Sequence, residues 1–224
     1  MNSHAYAHTD LGKQRSSNED AFWCDEALGA FLVCDGMGGH ASGEHAARLT
    51  VEAVERSLRA YAVSRASVGA RPKGGHANLA RIAADAARAA CGDVYRVASS
   101  DPKYRGMGCT LTLLLAANGR AAMAHVGDTR LYLLREGSLD QLSTDHTVVA
   151  DLVRNAQITP AAARDHELSS ALTRAVGVQE TVEVETLIFD VLPDDVLLLC
   201  SDGVSGSVES SGEIAAILEL SLIH

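Results

Sequence analysis

Two apolar runs in this chain close on the same dipeptide. Residues 30–36 read AFLVCDG and residues 196–203 read VLLLCSDG. Each is a hydrophobic stretch of strand length, the pattern of a buried strand. An Asp-Gly ending places a carboxylate at the rim of a sheet and frees the backbone to turn away. A third run, MAHVGD at 123–128, delivers another aspartate beside a glycine. Three separated strands that each present a carboxylate imply one shared site, and hard divalent cations with oxygen ligands are what such a site would hold.

The 224 residues suit a single domain, or one domain with an insertion. A net charge of −10 argues against a nucleic-acid binder, which would carry a basic patch. The acidic surface is compatible with a soluble cytoplasmic enzyme. The five cysteines (Cys24, Cys34, Cys91, Cys109 and Cys200) form no CxxC pair and are odd in number. Cys34 and Cys200 lie inside apolar runs, so the expectation is five reduced, structural thiols. No N-terminal segment resembles a signal peptide, and no apolar run approaches the roughly 18 residues of a membrane span. The localisation expected is cytoplasmic, without membrane association.

Along the chain, AYAHTDLGKQRSSNEDAFWCD reads as strand, turn, strand. A helix follows the first Asp-Gly, with Ser42 as its N-cap and Ala46, Leu49, Ala53, Val54 and Leu58 at helical spacing. A loop holding Gly69, Pro72, Gly74 and Gly75 leads to a second helix at about 76–98. CTLTLLLAA, AAMAHVGD and LYLLREG are strands, the first two joined by an Asn118-Gly119 hairpin turn. Residues 147–166 are helical and more polar, and read as an inserted flap. VEVETLIF and VLLLCSDG are further strands, and a last helix begins after Ser211. Consecutive strands outnumber βαβ alternations, which favours an α+β layered fold.

Four stretches carry chemistry. In RSSNED at 15–20, Arg15 offers a fork of donors suited to phosphate, and Glu19 and Asp20 offer paired carboxylates. Taken alone, such a group is more often solvated loop. DGMGGHASGE at 35–44 shares Gly36, Gly38 and Ala41 with a dinucleotide fingerprint, but that geometry needs a second parallel strand with an acid about 20 residues on. Here one helix leads into another. His40, Glu44 and His45 are spaced HxxxEH, which matches neither HExxH nor HxxEH, so zinc is not supported. HVGDTR at 125–130 and CSDG at 200–203 could each be a simple β-turn. Their joint occurrence, in this order and downstream of Arg15 and NED, is what chance does not supply.

Taken together, RSSNEDA, AFLVCDGMGGHASGE, RGMGCTLTLLL, AHVGDTRLYLLREG, LTRAVG and LLLCSDG resemble the metal-dependent serine/threonine protein phosphatases of type 2C, in their compact bacterial form. The resemblance runs from about residue 5 to 215. It implies a four-layer α-β-β-α sandwich of two antiparallel sheets flanked by helices, forming a single phosphatase domain over 1–224. It also implies two Mn²⁺ or Mg²⁺ ions in a cleft at one end, with a third, weaker site. By this likeness Asp35 bridges both ions, the Gly36 carbonyl completes the second ion's shell, and Asp202 binds the first. Glu19 and Asp20 match the family's NED acids, as metal ligands or through metal-bound water, Asp128 the carboxylate of the third metal, and Arg15 the arginine that binds substrate phosphate. The implied substrates are phosphoserine and phosphothreonine proteins, with a cognate Ser/Thr kinase as partner, no nucleic acid and a monomeric state.

The physical logic agrees with that likeness. A phosphomonoester dianion is repelled by a carboxylate cluster until cations reverse the local charge. Two ions sharing a water lower its pKa and hold it for in-line attack, and Arg15 would neutralise the phosphoryl oxygens. None of the cysteines begins a Cys-x5-Arg phosphate loop. The chain departs from the family pattern in three places. Met37 follows Asp-Gly, where eukaryotic members place a histidine, so the leaving group would be protonated by metal-bound water. HELSSALTRAVG replaces the HPQ-type flap residues of many relatives. The family also continues into another helix and a strand bearing Asp-Asn, whereas this sequence ends at EIAAILELSLIH. The expectation is therefore a chain lacking one carboxylate ligand, and the rival reading is a phosphatase-like regulatory or binding module with an impaired metal centre, or an inactive fragment.

Overall fold

The computed structural model describes residues 4–13, 15–39, 41–68, 77–208 and 210–221. In chain order the strands and helices are β1 (Asp20–Asp25), β2 (Ala30–Met37), α1 (Ala41–Val68), α2 (Ala77–Ser100), β3 (Gly108–Cys109), β4 (Leu111–Ala117), β5 (Arg120–Val126), β6 (Arg130–Arg135) and β7 (Ser138–Gln141). They continue as α3 (Val148–Arg154), α4 (Pro160–Arg164), β8 (Glu185–Asp190), β9 (Val196–Cys200), α5 (Asp202–Ser205) and α6 (Ser211–Ser221). One sheet runs β1-β2-β4-β5-β8 with β3 added to β2, and the other runs β7-β6-β9. Every pairing is antiparallel.

Side-chain alternation sorts the layers. Ala30, Leu32 and Cys34 of β2 point into a core shared with Ala46, Val54 and Leu58 of α1 and Ala83, Ala87 and Val94 of α2. The opposite face of the same sheet supplies Phe31, Leu114, Met123, Leu187 and Phe189, which meet Leu131, Leu197 and Leu199 of the second sheet. On that sheet's outer face Tyr132, Leu198 and Cys200 pack against Ile214 and Leu218 of α6. The result is the expected α-β-β-α order. Each fully buried leucine contributes about 2 kcal/mol through its removal from water, so both faces of each sheet stabilise the stack.

The structure corrects several local expectations. Residues 4–13 and 15–19 form no strand, so the N-terminal segment contributes only β1. Ser42 does not cap α1. It lies inside the first turn, and its hydroxyl donates to the Lys103 carbonyl at 3.4 Å. The expected glycine-rich loop at 69–76 and His40 lie outside the described residues. Val182–Val184 is not strand, and β8 begins only at Glu185. β7 forms in a polar SLDQ segment that carries no apolar signal for a period-2 strand. The Asn118-Gly119 hairpin forms as expected, with both residues at positive φ (54° and 75°). The segment 147–166 folds as two short helices, α3 and α4, capped by Thr147 and Thr159. All five cysteines are free. No helix among the described residues is long and apolar enough to cross a membrane.

Candidate functional site

The inter-sheet face of the large sheet changes character along the strands. One cross-strand row is Cys24, Phe31, Leu114, Met123 and Leu187, and the next is Phe22, Val33, Thr112, His125 and Glu185. One further step along β1 and β2 places Asp20 opposite Asp35. Directly opposed residues of an antiparallel pair project on the same side. Two carboxylates therefore stand together at the end of a face that begins as hydrophobic core.

Asp35 lies inside β2, not at its end as the Asp-Gly reading expects. Pairing with β3 carries the strand on through Gly36 and Met37. The Asp35 backbone is held from both directions: its N–H donates to Thr110 Oγ1 at 2.9 Å and its carbonyl accepts from Thr110 N at 2.8 Å. Gly36 is needed for crowding, not for turning. A Cβ there would drive into the Gly43 carbonyl and come within 2.7 Å of the Glu19 carbonyl oxygen. This close passage docks the N-terminus of α1 against the site.

The second sheet brings Asp202. β9 stops at Cys200, and Asp202 is the first residue of the short helix α5, exposed to solvent. Ser201 precedes that helix without capping it. Its hydroxyl instead donates to Asp20 Oδ2 at 2.7 Å, a direct tie between the two sheets. Asp128 follows Gly127, whose φ of 105° and close contact with the Thr110 side chain admit only glycine.

Electrostatics confirms that these groups share one space. Burial, followed by the charges of Asp20, Asp202 and Asp128, pushes the Asp35 carboxyl up to about 8. Asp128 is pushed up to about 6 by burial, then by Asp202 and Asp145. Asp20 is raised by burial, although Ser201 and Arg15 oppose the rise. Arg15 is exposed and close enough to act on Asp20. Glu19 places its carboxylate over Gly43 in the first turn of α1, where the Gly36 backbone also passes close and where a helix N-terminus favours negative charge.

Four carboxylates with so little positive charge among them make a donor set suited to hard divalent cations. Among the described residues, no three His, Cys, Asp or Glu side chains already stand in an arrangement that would hold an ion. The chemistry fits such ions, and the side chains would have to close around them.

The residues around this end match a known family. The Protein phosphatase 2C profile covers residues 11–222. The chain belongs to that family. It is 36% identical over 211 residues to the serine/threonine protein phosphatase PstP of Mycobacterium tuberculosis, covering 94% of this chain and 38% of that protein. The chain thus spans about two fifths of that relative's length. It is 33% identical to the serine/threonine phosphatase stp of Listeria monocytogenes, covering 96% of this chain and 83% of the relative. The crystal structure of the PstP catalytic domain in complex with two manganese ions superposes with a TM-score of 0.78 at 34% identity, over 95% of this chain and 82% of that one.

Several residues at this end escape a reading of the sequence. Thr110 and Ser201 neighbour the motifs but carry no signal of their own, since a serine or threonine beside Asp-Gly reads as ordinary turn chemistry. Behind Asp128 lies a buried polar group. His125 Nε2 donates to the Thr144 carbonyl at 3.0 Å, Thr112 reaches its Nδ1 at 2.9 Å, and its ring stacks on His146 with centroids 4.8 Å apart. Burial pushes both imidazoles down to about 4, so both are neutral at pH 7. Arg130 and Asp145 pair at 2.6 Å on the same side.

Proposed function

We propose that this chain is a Mn²⁺- or Mg²⁺-dependent phosphatase that hydrolyses phosphoserine and phosphothreonine in proteins. The observation that carries this reading is the carboxylate group of Asp20, Asp35, Asp128 and Asp202, drawn from both sheets and short of positive charge. Asp35 is central, with Asp20, Asp202 and the Gly36 carbonyl beside it as further oxygen ligands for two ions. Asp128 serves a third, weaker site, and Glu19 acts from the flank. When bound, such ions would supply positive charge for the phosphoryl group and lower the pKa of the water that attacks phosphorus.

The chain's own residues have separable tasks. Arg15, exposed at the mouth, pairs with the phosphoryl oxygens of an incoming phosphoserine and holds the P–O ester bond toward the carboxylate end. Asp35, tied through its backbone to Thr110, presents its carboxyl on the face shared with Asp20. The chain functions as a single phosphatase domain over 1–224, with the flap at 147–166 flanking the cleft. Its partners are phosphorylated proteins and the kinase that modifies them, in bacterial signalling within the cytoplasm.

A second reading, a phosphatase-like binding module with an impaired metal centre, draws on the lack of a ready-made ion cage among the described residues. Hydrolysis of p-nitrophenyl phosphate and of a phosphothreonine peptide separates the two. Manganese-dependent turnover, abolished by EDTA and by Asp35→Asn, is expected. Arg15→Ala should raise KM for the peptide about tenfold or more, since it removes a charge-assisted pair worth about 1.5–3 kcal/mol. No turnover at millimolar manganese, with Asp35→Asn indistinguishable from wild type, would sink the enzymatic reading.

A further inference from the structure

His146 is 5% exposed and touches both Asp128's turn and the base of the flap. Its backbone N–H donates to the Gly127 carbonyl at 2.8 Å, and the Gly127 N–H donates back to the imidazole Nδ1 at 3.1 Å. The residue before Asp128 is thus clamped at both its polar backbone groups by one histidine. Because a backbone N–H can only donate, Nδ1 is the acceptor and the ring proton sits on Nε2. That proton points at Glu185 Oε2, 3.1 Å away. The Arg174 guanidinium, 3.3 Å from the same nitrogen, therefore finds no lone pair there; its ion pair is with Glu183 at 2.9 Å.

The other side of His146 holds the segment that returns from the flap. Its carbonyl accepts from Thr173 N at 2.8 Å, Thr147 bridges Leu172, and Val148 N donates to the Ala171 carbonyl at 2.9 Å. Below it the ring stacks on His125, itself locked by Thr112 and the Thr144 carbonyl. The clamp is therefore rigid, and it joins three elements: the Gly127 turn, the β8 start at Glu185 and the flap base. Gly127, at a φ of 105°, has the freedom to swing Asp128 away if its amide is released.

We propose that His146 is a positioning residue whose Nδ1 fixes Gly127 and so aims Asp128 at the metal centre. This rests on the reading of Asp128 as a metal carboxylate. Two substitutions divide the imidazole's two bonds. His146→Asn places an amide oxygen near the Nδ1 position and keeps an acceptor for Gly127, while losing reach to Glu185. His146→Gln reaches toward Glu185 and leaves Gly127 N–H without its acceptor. Calorimetric titration with MnCl₂ alone, on the full chain, should show His146→Asn within about twofold of wild type and His146→Gln at least fivefold weaker in its Asp128-dependent phase. Asp128→Asn, titrated alongside, defines that phase.

If Asp128→Asn matches wild type, the assignment of Asp128 falls and the inference falls with it. If Asp128→Asn differs while the two His146 variants coincide, the inference alone is overturned. A third measurement needs no variant. Long-range ¹H–¹⁵N correlation in the wild-type protein should show the His146 proton on Nε2 and a bare Nδ1; the opposite tautomer would overturn the clamp.

Discussion

Replacing Asp35 by asparagine should make the metal-free protein more stable in alkali and insensitive to manganese. Asp35 faces Asp20 across the β1–β2 ladder, and burial, followed by the charges of Asp20 and Asp202, lifts its carboxyl from 3.8 to about 8. Each pKa unit corresponds to about 1.4 kcal/mol, so ionising this group inside the fold costs roughly 5–6 kcal/mol on that scale. The cost is shared with the facing carboxylates, and the side chains relax toward water, so about 3 kcal/mol should remain measurable. The direction follows from the raised value. An unfolded aspartate titrates near 3.9, so the wild-type fold keeps this contribution below about pH 4 and loses it as pH rises through about 8.

The amide introduced by Asp35→Asn cannot ionise, and it can still donate to Asp20 or Asp202. Thermal unfolding in EDTA should therefore find Asp35→Asn close to wild type at pH 4 and about 6–12 °C higher in Tm at pH 8.5, for a domain of this size. Manganese should raise the wild-type Tm and leave Asp35→Asn nearly unmoved. An Asp35→Asn Tm equal to or below wild type at pH 8.5 without metal would refute the account of mutual carboxylate repulsion.

Two further perturbations probe the supports of the site. Ser201→Ala removes the hydroxyl that donates to Asp20 Oδ2, and a double-mutant cycle with Asp20→Asn in urea should return a coupling of about 1.5–2 kcal/mol; a coupling near zero would mean the inter-sheet tie contributes nothing. Gly36→Ala pushes a methyl group into the Gly43 carbonyl and the Glu19 backbone, so the urea midpoint should fall by the equivalent of about 3 kcal/mol. An unchanged midpoint would show that α1 docks more loosely than the geometry requires.

Much of this fold is written in local patterns. The strands of the apolar runs AFLVC and LTLLL, the helix spaced by Ala46, Val54 and Leu58, and the Asn118-Gly119 turn each form where the residues imply. These features depend on neighbours a few positions apart, so a linear reading reaches them. β7 and α5 escape it because a polar strand such as SLDQ is made by its partner β6, and the four-residue helix α5 by its seat beside the site. The same limit explains Ser42, which stands too far into α1 to cap it.

The residues of the site divide along that line. Asp35, Asp128 and Asp202 are legible as carboxylates beside glycine, and Arg15, Glu19 and Asp20 as a charged cluster, because residue type and spacing are local properties. Their relation is not. Asp20 meets Asp35 through a β-ladder register, and Asp202 arrives from the other sheet 182 positions after Asp20, alongside a Ser201 hydroxyl bond that spans 181. Whether a glycine serves a turn or a close approach is equally non-local: Gly36 is held by Gly43 and Glu19, Gly127 by Thr110. The sequence names the chemical groups and the strands that carry them. Packing of two sheets brings the charges within reach of one another, and it is that proximity, through burial and mutual repulsion, that turns ordinary aspartates into a site that demands a cation.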